Sequence, residues 1–231
     1  MRYRTQHVID LNRFAKNVDE LKRRSPHAQI IFMVKADAYG HGALPLVEFA
    51  YRESGIQEFG MASLGEALEV REELPDLQCE LYTFSDIHME LQKARETYLQ
   101  RRIYPVISHL DDLNFFLTDR EFRHFPLTLK FNTGMNRLGL NMTERDQVIQ
   151  LIKRSGRKSI HHFMTHLACA SQSIGEDLNQ KQIRNFETLK SDFRAAGLNV
   201  QQTSLSNSGA IEQNAGLNES HIRPGLMLYG P

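Results

Sequence analysis

The sequence predicts an α/β fold, a (β/α)8 barrel, and three observations support this prediction. Short apolar runs, several rich in β-branched and aromatic residues, alternate with amphipathic stretches along the 231 residues. Eight such runs occur, and eight parallel strands joined by helices close into a barrel. No linker or repeat interrupts the alternation, so we expect one domain over residues 1–231. A doubly wound open sheet fits the same alternation almost as well.

The expected elements follow from the spacing of apolar residues. We expect strands at residues 30–34, 59–62, 79–84, 103–107, 127–131, 160–165, 203–206 and 221–229. We expect helices at residues 11–24, 44–51, 64–73, 89–98, 110–120, 143–154 and 177–196. Thr143 is a candidate N-cap and Gly156 a candidate C-terminal glycine. The link over residues 210–220 is short and turn-rich, so the last helix of the barrel is missing or degenerate.

Composition excludes several classes of partner. Lys plus Arg and Asp plus Glu number 28 each, and a chain with no net charge lacks the footprint of a nucleic-acid or anionic-membrane binder. No apolar run is long enough to span a membrane, and no secretory signal follows the first residues. We therefore expect a cytoplasmic protein. Its two cysteines, Cys79 and Cys169, are too few for a disulfide framework and are expected to be reduced thiols.

Chemically capable residues fall at the carboxyl ends of the expected strands. They are Lys35 after the first strand, Arg137 beyond the fifth, His166 after the sixth, Asn207 and Ser208 after the seventh, and Arg223 early in the eighth. In a barrel, this is the rim that carries active sites. We therefore expect the active site there.

Lys35 follows the apolar run at residues 30–34, and its chemistry is open to two interpretations. A partly desolvated amine with a lowered pKa suits Schiff-base formation and proton transfer. A lysine at a strand end also commonly extends into a loop.

Gly40 and Gly42 flank His41, which permits a tight turn and close backbone approach to a ligand, with the Tyr39 hydroxyl nearby. The alternative is an ordinary βα turn.

Lys130 and Arg137 leave the fifth strand on either side of a flexible polar turn. Arg137 has the geometry to bind a carboxylate or another oxygen anion, although an arginine at a rim is often an ion-pair partner. Lys130, if it points inward, needs a compensating negative group.

The seventh and eighth expected strands predict a phosphate cradle. Ser208 supplies a hydroxyl, and glycine-rich backbone around Gly225 and Leu226 exposes N–H groups. Each of these two segments, taken alone, is equally typical of a turn.

His166 either stacks on a ligand ring or satisfies a core hydrogen bond. His161 and His162 are neighbours in one strand and should face opposite ways, so we expect no metal site.

Four strings, in order, carry a resemblance to alanine racemases, the fold-type III pyridoxal-phosphate enzymes. They are VKADAYGHG at residues 34–42, KFNTGMNRLG at 130–139, SNS at 206–208 and RPGLMLYG at 223–230. The resemblance therefore covers nearly the whole chain.

The resemblance implies roles for the rim residues around pyridoxal 5'-phosphate (PLP). Lys35 would hold the cofactor covalently and act as the base that faces D-alanine. The remaining implied contacts are Tyr39, Ser208, Gly225 and Leu226 for the phosphate, with Asn207 nearby, His166 for the pyridine ring, Arg137 for the phenolic oxygen and the substrate carboxylate, and Arg223 for the pyridine nitrogen. An arginine there disfavours protonation of that nitrogen and weakens the electron sink. Lys130 corresponds to a lysine that is carbamylated in some members.

The resemblance also implies a homodimer that interconverts L- and D-alanine for cell-wall synthesis. Asn132 departs from the family's usual aspartate, which should alter the hydrogen bonding around Arg137. Family members continue into a β-rich domain whose tyrosine is the second base, and Tyr229 is not expected to replace it. We therefore expect a fragment that binds the cofactor and racemises poorly. The alternatives are a single-domain PLP-homeostasis protein, a racemase of another amino acid, and a phosphate-binding barrel without PLP.

Overall fold

The computed structural model describes residues 7–172 and 177–230. The N-terminal residues 1–6, on which the expectation of no secretory signal depends, lie outside this description, as do residues 173–176 and 231 of the expected domain. The strands are β1 Gln29–Met33, β2 Glu58–Met61, β3 Glu80–Thr83, β4 Ile103–Ile107, β5 Thr128–Asn132, β6 Leu140–Asn141, β7 Ser159–Met164, β8 Asn199–Ser204 and β9 His221–Ile222.

Eight of these strands form one parallel sheet that is nearly closed into a barrel. Their order is β8-β7-β5-β4-β3-β2-β1-β9, and the short β6 pairs with β5 off this path. At the seam, the backbone N–H of Arg223 donates to the Ser206 carbonyl at 3.0 Å. The N–H of Thr203 donates to Ser220 Oγ at 2.7 Å. The predicted barrel is confirmed, and the open doubly wound alternative is wrong.

Helices cover the outside of the barrel. They are α1 Leu11–Arg24, α2 Ala43–Arg52, α3 Leu64–Glu73, α4 Gln92–Arg101, α5 Leu110–Thr118, α6 Arg145–Arg154, α7 Asp177–Ala195, α8 Ser208–Glu212 and α9 Leu226–Tyr229, with 3-10 turns at Arg120–His124 and Met142–Glu144. α1 shows the pattern: Phe14, Val18 and Leu21 are buried on one face, as helical spacing requires. None of the described helices is both long and apolar enough to cross a membrane.

The predicted and observed elements differ mainly near the carboxyl end. The run at residues 221–229 was expected to be a strand, but only His221–Ile222 is one, and Leu226–Tyr229 is helical. The reason is that Pro224 and Gly225 break the extended backbone, while a short apolar run fits a strand and a buried helix equally well. The expected Thr143 cap is also wrong, because Asn141 and Glu144 form the capping box there. Gly156 does follow its helix with a positive φ of 79°, as expected.

Apolar residues fill both the barrel interior and the layer between sheet and helices. Alternate residues of β1 show this division, since Ile31 and Met33 belong to the interior cluster and Phe32 packs in the outer core. Cys79 and Cys169 are both free thiols, and Cys79 is buried.

The two adjacent histidines of β7 do not alternate as expected. The N–H groups of His161 and His162 both approach the Leu127 carbonyl oxygen, at 2.9 and 3.4 Å, which is the pattern of a β-bulge. Both rings therefore lie near Tyr82: His161 Nε2 is 3.2 Å from its hydroxyl, and the His162 ring centroid is 5.9 Å from its ring. Our premise of opposite faces is wrong. Among the described residues, no set of three His, Cys, Asp or Glu side chains is arranged to hold a metal ion.

Candidate active site

Lys35 opens a left-handed turn, Lys35–Gly40, directly after β1. Four consecutive residues that are not glycine, from Ala36 to Tyr39, have φ between 51° and 56°. For L-residues this conformation costs about 1–2 kcal/mol each. Such strain persists only where surrounding contacts impose it, and it is concentrated at functional sites.

Three side chains hold the left-handed turn. The Glu66 carboxylate accepts hydrogen bonds from the N–H groups of Ala36 at 2.9 Å and Ala62 at 2.7 Å. Asp37 Oδ1 accepts from the Ala43 N–H at 2.7 Å, and His41 Nδ1 lies 2.9 Å from the Ala38 carbonyl oxygen. The sequence predicted a tight turn from its flanking glycines, but the strained residues are those before Gly40.

A cavity of about 370 Å³ opens at the carboxyl rim beside this turn. All ten residues singled out from the sequence line it: Lys35, Tyr39, Lys130, Arg137, His166, Asn207, Ser208, Arg223, Gly225 and Leu226. The remaining lining is apolar or small, and includes Met33, Phe84, Ser85, Ala168 and Ser171, which the sequence argument missed. Apolar and small side chains of this kind occur throughout the sequence, so nothing in it marks these five as cavity lining.

Positive charge dominates the cavity. Lys35, Lys130, Arg137 and Arg223 all line it, and none of its described lining residues is acidic. Lys130 is only 5% exposed, and burial, together with the nearby positive charges of Arg223, Arg137 and Lys35, lowers its pKa to about 7. Burial and the charge of Arg137 also lower the pKa of Lys35, whereas Glu66 opposes the shift. The cavity is therefore suited to a ligand that carries several negative charges.

Arg223 is buried, and no acidic side chain among residues 7–172 and 177–230 forms an ion pair with it. It is 4% exposed, and its guanidinium donates to Ser204 Oγ and to the Thr165 carbonyl oxygen. Burial lowers its pKa to about 10, so the guanidinium stays charged at neutral pH. The sequence identified Arg223 but not these two acceptors, of which Ser204 ends β8 and Thr165 directly follows β7.

His166 is held neutral beside the four cations. Burial, followed by the charges of Arg223 and Lys130, lowers its pKa to about 2. The Asn207 amide N–H lies 3.2 Å from His166 Nε2, and it also donates to the Leu167 carbonyl. The Asn207 Oδ1 accepts from the N–H of Ala210 at 3.0 Å and caps α8. Asn207 thus orients the ring and begins the helix behind it.

Ser208, Tyr39 and Gly225 form one wall of the cavity. Ser208 Oγ accepts from the N–H of Gly225 at 3.0 Å, and a Cβ at Gly225 would lie 2.8 Å from the Tyr39 hydroxyl oxygen. The absence of a side chain at Gly225 is therefore what lets Tyr39 approach the backbone. Leu226, 63% exposed, stands at the open edge of this wall.

The loop that carries Arg137 is fixed by Asn132. Asn132 Oδ1 accepts from the N–H groups of Gly134 at 3.1 Å and Asn136 at 2.9 Å, as in an Asx turn. Its amide N–H donates to Asn136 Oδ1 at 3.1 Å. These hydrogen bonds go to the loop itself, so Asn132 acts on Arg137 by shaping its loop.

Two further side chains at the rim have roles that the sequence reading did not give. Glu66 was missed, although Ser63 followed three residues later by Glu66 is a recognisable helix-start signal. Tyr229 is structural here, because its hydroxyl donates to the Met33 carbonyl at 2.8 Å and its ring stacks on His41 at 4.7 Å.

Comparison with known proteins identifies relatives of the whole barrel. The family model described as alanine racemase, N-terminal domain, matches residues 9–231. The alanine racemase of Nostoc sp. is 31% identical over 225 residues, which cover 96% of this chain and 57% of that protein. That of Nitrosomonas eutropha is 32% identical and is covered to 59%. The chain thus spans less than two thirds of the length of the curated relatives it matches.

Solved structures agree with this similarity. Alanine racemase from Corynebacterium glutamicum superposes with a TM-score of 0.86 at 25% identity, over 96% of this chain and 62% of that one. Alanine racemase from Bartonella henselae, described with covalently bound pyridoxal phosphate, gives 0.80 at 26% identity with the same two coverages.

Proposed function

This chain belongs to the alanine racemase N-terminal domain family, and we propose that it binds PLP on Lys35 as the cofactor-binding part of an alanine racemase. One observation carries the proposal: the ten residues identified from sequence line a single cavity that has four cations and no acidic residue among its described lining. The names of the relatives favour this function over a cofactor-homeostasis protein or a phosphate-binding barrel without PLP.

The cavity fits PLP in charge and in the chemistry of the groups that line it. The cofactor carries a phosphate and a phenolic oxygen, and an amino-acid substrate adds a carboxylate. The four cations that line the cavity suit these negatively charged groups. The wall formed by Tyr39, Ser208 and Gly225 can pack this closely only because Gly225 has no Cβ, and its hydroxyls and N–H groups suit a phosphate. We assign the phosphate to this wall, together with the backbone at Leu226. When bound, PLP supplies an electron sink that acidifies the α-proton of an attached amino acid.

The protein's own groups then bind and move protons. Lys35, with its lowered pKa, accepts the α-proton at Nζ on one face of the substrate. Arg137 binds the substrate carboxylate and the phenolic oxygen. Arg223 would hold the side of the cofactor that carries the pyridine nitrogen, where its positive charge would disfavour a proton. Neutral His166, oriented by Asn207, would pack on the ring.

We propose that Lys130 is carbamylated. With a pKa of about 7, much of this amine is unprotonated at neutral pH. Its nitrogen forms a bond to the carbon of CO2 and releases one proton, which converts a positive side chain into a negative one. That charge would pair with Arg137 and neutralise part of the excess positive charge in the cavity.

We further propose that the substrate is alanine and that the protein is cytoplasmic, without nucleic-acid or membrane partners. The homodimer is proposed for the whole enzyme of which this barrel would be the cofactor-binding part. The names of the relatives support the substrate. Zero net charge supports the exclusion of nucleic acid.

The cofactor site is tested by adding PLP to the purified chain and recording visible absorption before and after borohydride. We expect a reducible band, with the cofactor mapped to Lys35 by peptide analysis. Lys35→Ala should lose the band, whereas Lys153→Ala, an exposed lysine of α6, should keep it. A band that survives in Lys35→Ala would refute the assignment.

The proton-transfer role is tested by exchange in D2O. With PLP bound, Lys35 should exchange the α-proton of D-alanine, measured by NMR, and net formation of L-alanine by this chain should be much slower. Equal exchange of both enantiomers would contradict a single base on one face.

A further inference from the structure

Glu66 occupies an unusual place for a residue near a helix start. Ser63 caps α3 by accepting from the Glu66 N–H at 3.3 Å, the first half of a capping box. In that motif the glutamate returns to the N–H of the capping residue. Here its carboxylate accepts instead from Ala62 and from Ala36, 30 residues away in sequence.

These two hydrogen bonds join the ends of two neighbouring strands. Ala62 follows β2 and lines the cavity. Ala36 follows Lys35 and is the first residue of the left-handed turn with positive φ. Both N–H groups donate to a charged acceptor, which makes such bonds stronger than neutral ones. The carboxylate therefore fixes the backbone at the point where the chain leaves Lys35.

We propose that Glu66 is a positioning residue that imposes the left-handed turn and thereby directs Lys35 and Tyr39 into the cavity together. The inference depends on the proposed function only for the identity of the ligand. The geometry requires both carboxylate oxygens: Glu66 Oε1 serves Ala36 and Oε2 serves Ala62. A glutamine offers one acceptor and places an NH2 group against the second N–H.

The charge of Glu66 has a second, separable effect on Lys35. It is the negative charge that raises the pKa of Lys35 against burial and Arg137. The Tyr39 ring also faces this amine, with its centroid 5.6 Å from Lys35 Nζ. Lys130 and His166 face it as well, since the charge of Lys35 lowers the pKa of both. Removing the charge should therefore let Lys35 lose its proton at lower pH, which a purely structural role would not cause.

The first experiment needs no cofactor. Hydrogen exchange of the free chain should show the amide protons of Ala36 and Ala62 exchanging at least tenfold faster in Glu66→Gln than in the parent. The control is Glu69→Gln, an exposed carboxylate of the same helix, which should leave both unchanged. Unchanged protection in Glu66→Gln would overturn the proposal, whether or not PLP binds.

The second experiment uses PLP and pyridoxine 5'-phosphate, which lacks the aldehyde and reports the non-covalent site. Glu66→Gln should bind both about tenfold more weakly, and its covalent bond to PLP should form with a midpoint at lower pH. Glu66→Asp keeps the negative charge, so the pH midpoint of its covalent bond formation with PLP should equal that of the parent. Its affinity for both ligands should fall. Parent-like affinities and midpoint in Glu66→Gln would overturn the proposal. A parent chain that never bonds PLP would refute the proposed function alone.

Discussion

Lys130→Met should stabilise the free chain at neutral and lower pH. In the unfolded chain the Lys130 amine has a pKa of 10.5, and in the fold about 7. Below pH 7 both forms are charged, and the difference corresponds to about 5 kcal/mol of destabilisation. Between the two values the unfolded chain binds the proton and the fold does not, so the cost shrinks as pH rises and is gone above 10.5. Water and anions that reach the cavity reduce this cost. We therefore expect Lys130→Met to raise the free energy of unfolding by about 2–4 kcal/mol.

Thermal unfolding in CO2-free buffer measures this gain. For a chain of this size, each kcal/mol raises Tm by about 2–4 °C, so Lys130→Met should unfold roughly 5–15 °C higher than the parent at about pH 6. The difference should vanish towards pH 10.5. Lys153→Met, an exposed lysine of α6, is the matched control and should change little. A Lys130→Met protein equal to or less stable than the parent at pH 6 would refute this reasoning. Bicarbonate should stabilise the parent but not Lys130→Met, as carbamylation requires.

Three further predictions test the cavity wall, the arginine loop and the neutral histidine. Gly225→Ala puts a methyl 2.8 Å from the Tyr39 hydroxyl, which should cost about 1–3 kcal/mol and weaken PLP in a titration. Gly65→Ala, whose added methyl would meet Ser63 Oγ at an ordinary contact distance of 3.8 Å, should leave binding unchanged. Asn132→Ala removes two hydrogen bonds to the loop backbone and should lower the free energy of unfolding in urea by about 1–2 kcal/mol, whereas Asn132→Asp keeps both. From neutral pH to about pH 4, the free energy of unfolding of the parent should fall by about 3 kcal/mol more than that of His166→Phe.

The sign of the last prediction follows from the lowered pKa of His166. Its value falls from 6.5 to about 2 in the fold, so below pH 6.5 only the unfolded chain takes up the proton and stability declines. Parallel pH profiles for His166→Phe and the parent would contradict this. Parent-like PLP affinity in Gly225→Ala would contradict the wall geometry. Equal stability of Asn132→Ala and Asn132→Asp would show that the Asx turn does not hold the loop.

Periodicity predicted the elements well where the pattern was long. α1 and α3 begin and end at the expected residues, since several apolar positions define each helical face. The run at residues 221–229 failed because it is short and its apolar residues suit a strand or a buried helix. The prediction that His161 and His162 face opposite ways failed for another reason. A single bulge at these two residues of β7 interrupts the alternation of side chains on which that prediction depended.

The sequence alone determined which residues stand at the carboxyl rim, because strand ends are set by local patterns and a barrel gathers those ends. It also identified the family through four strings in order. Only the tertiary structure decided that four cations share one cavity with no acidic residue among its described lining, and that Lys35 leaves its strand through a left-handed turn. The contacts responsible, such as that of Glu66 with Ala36, join residues far apart in the chain. Their hydrogen bonds depend on where folding places a carboxylate, which no local periodicity encodes.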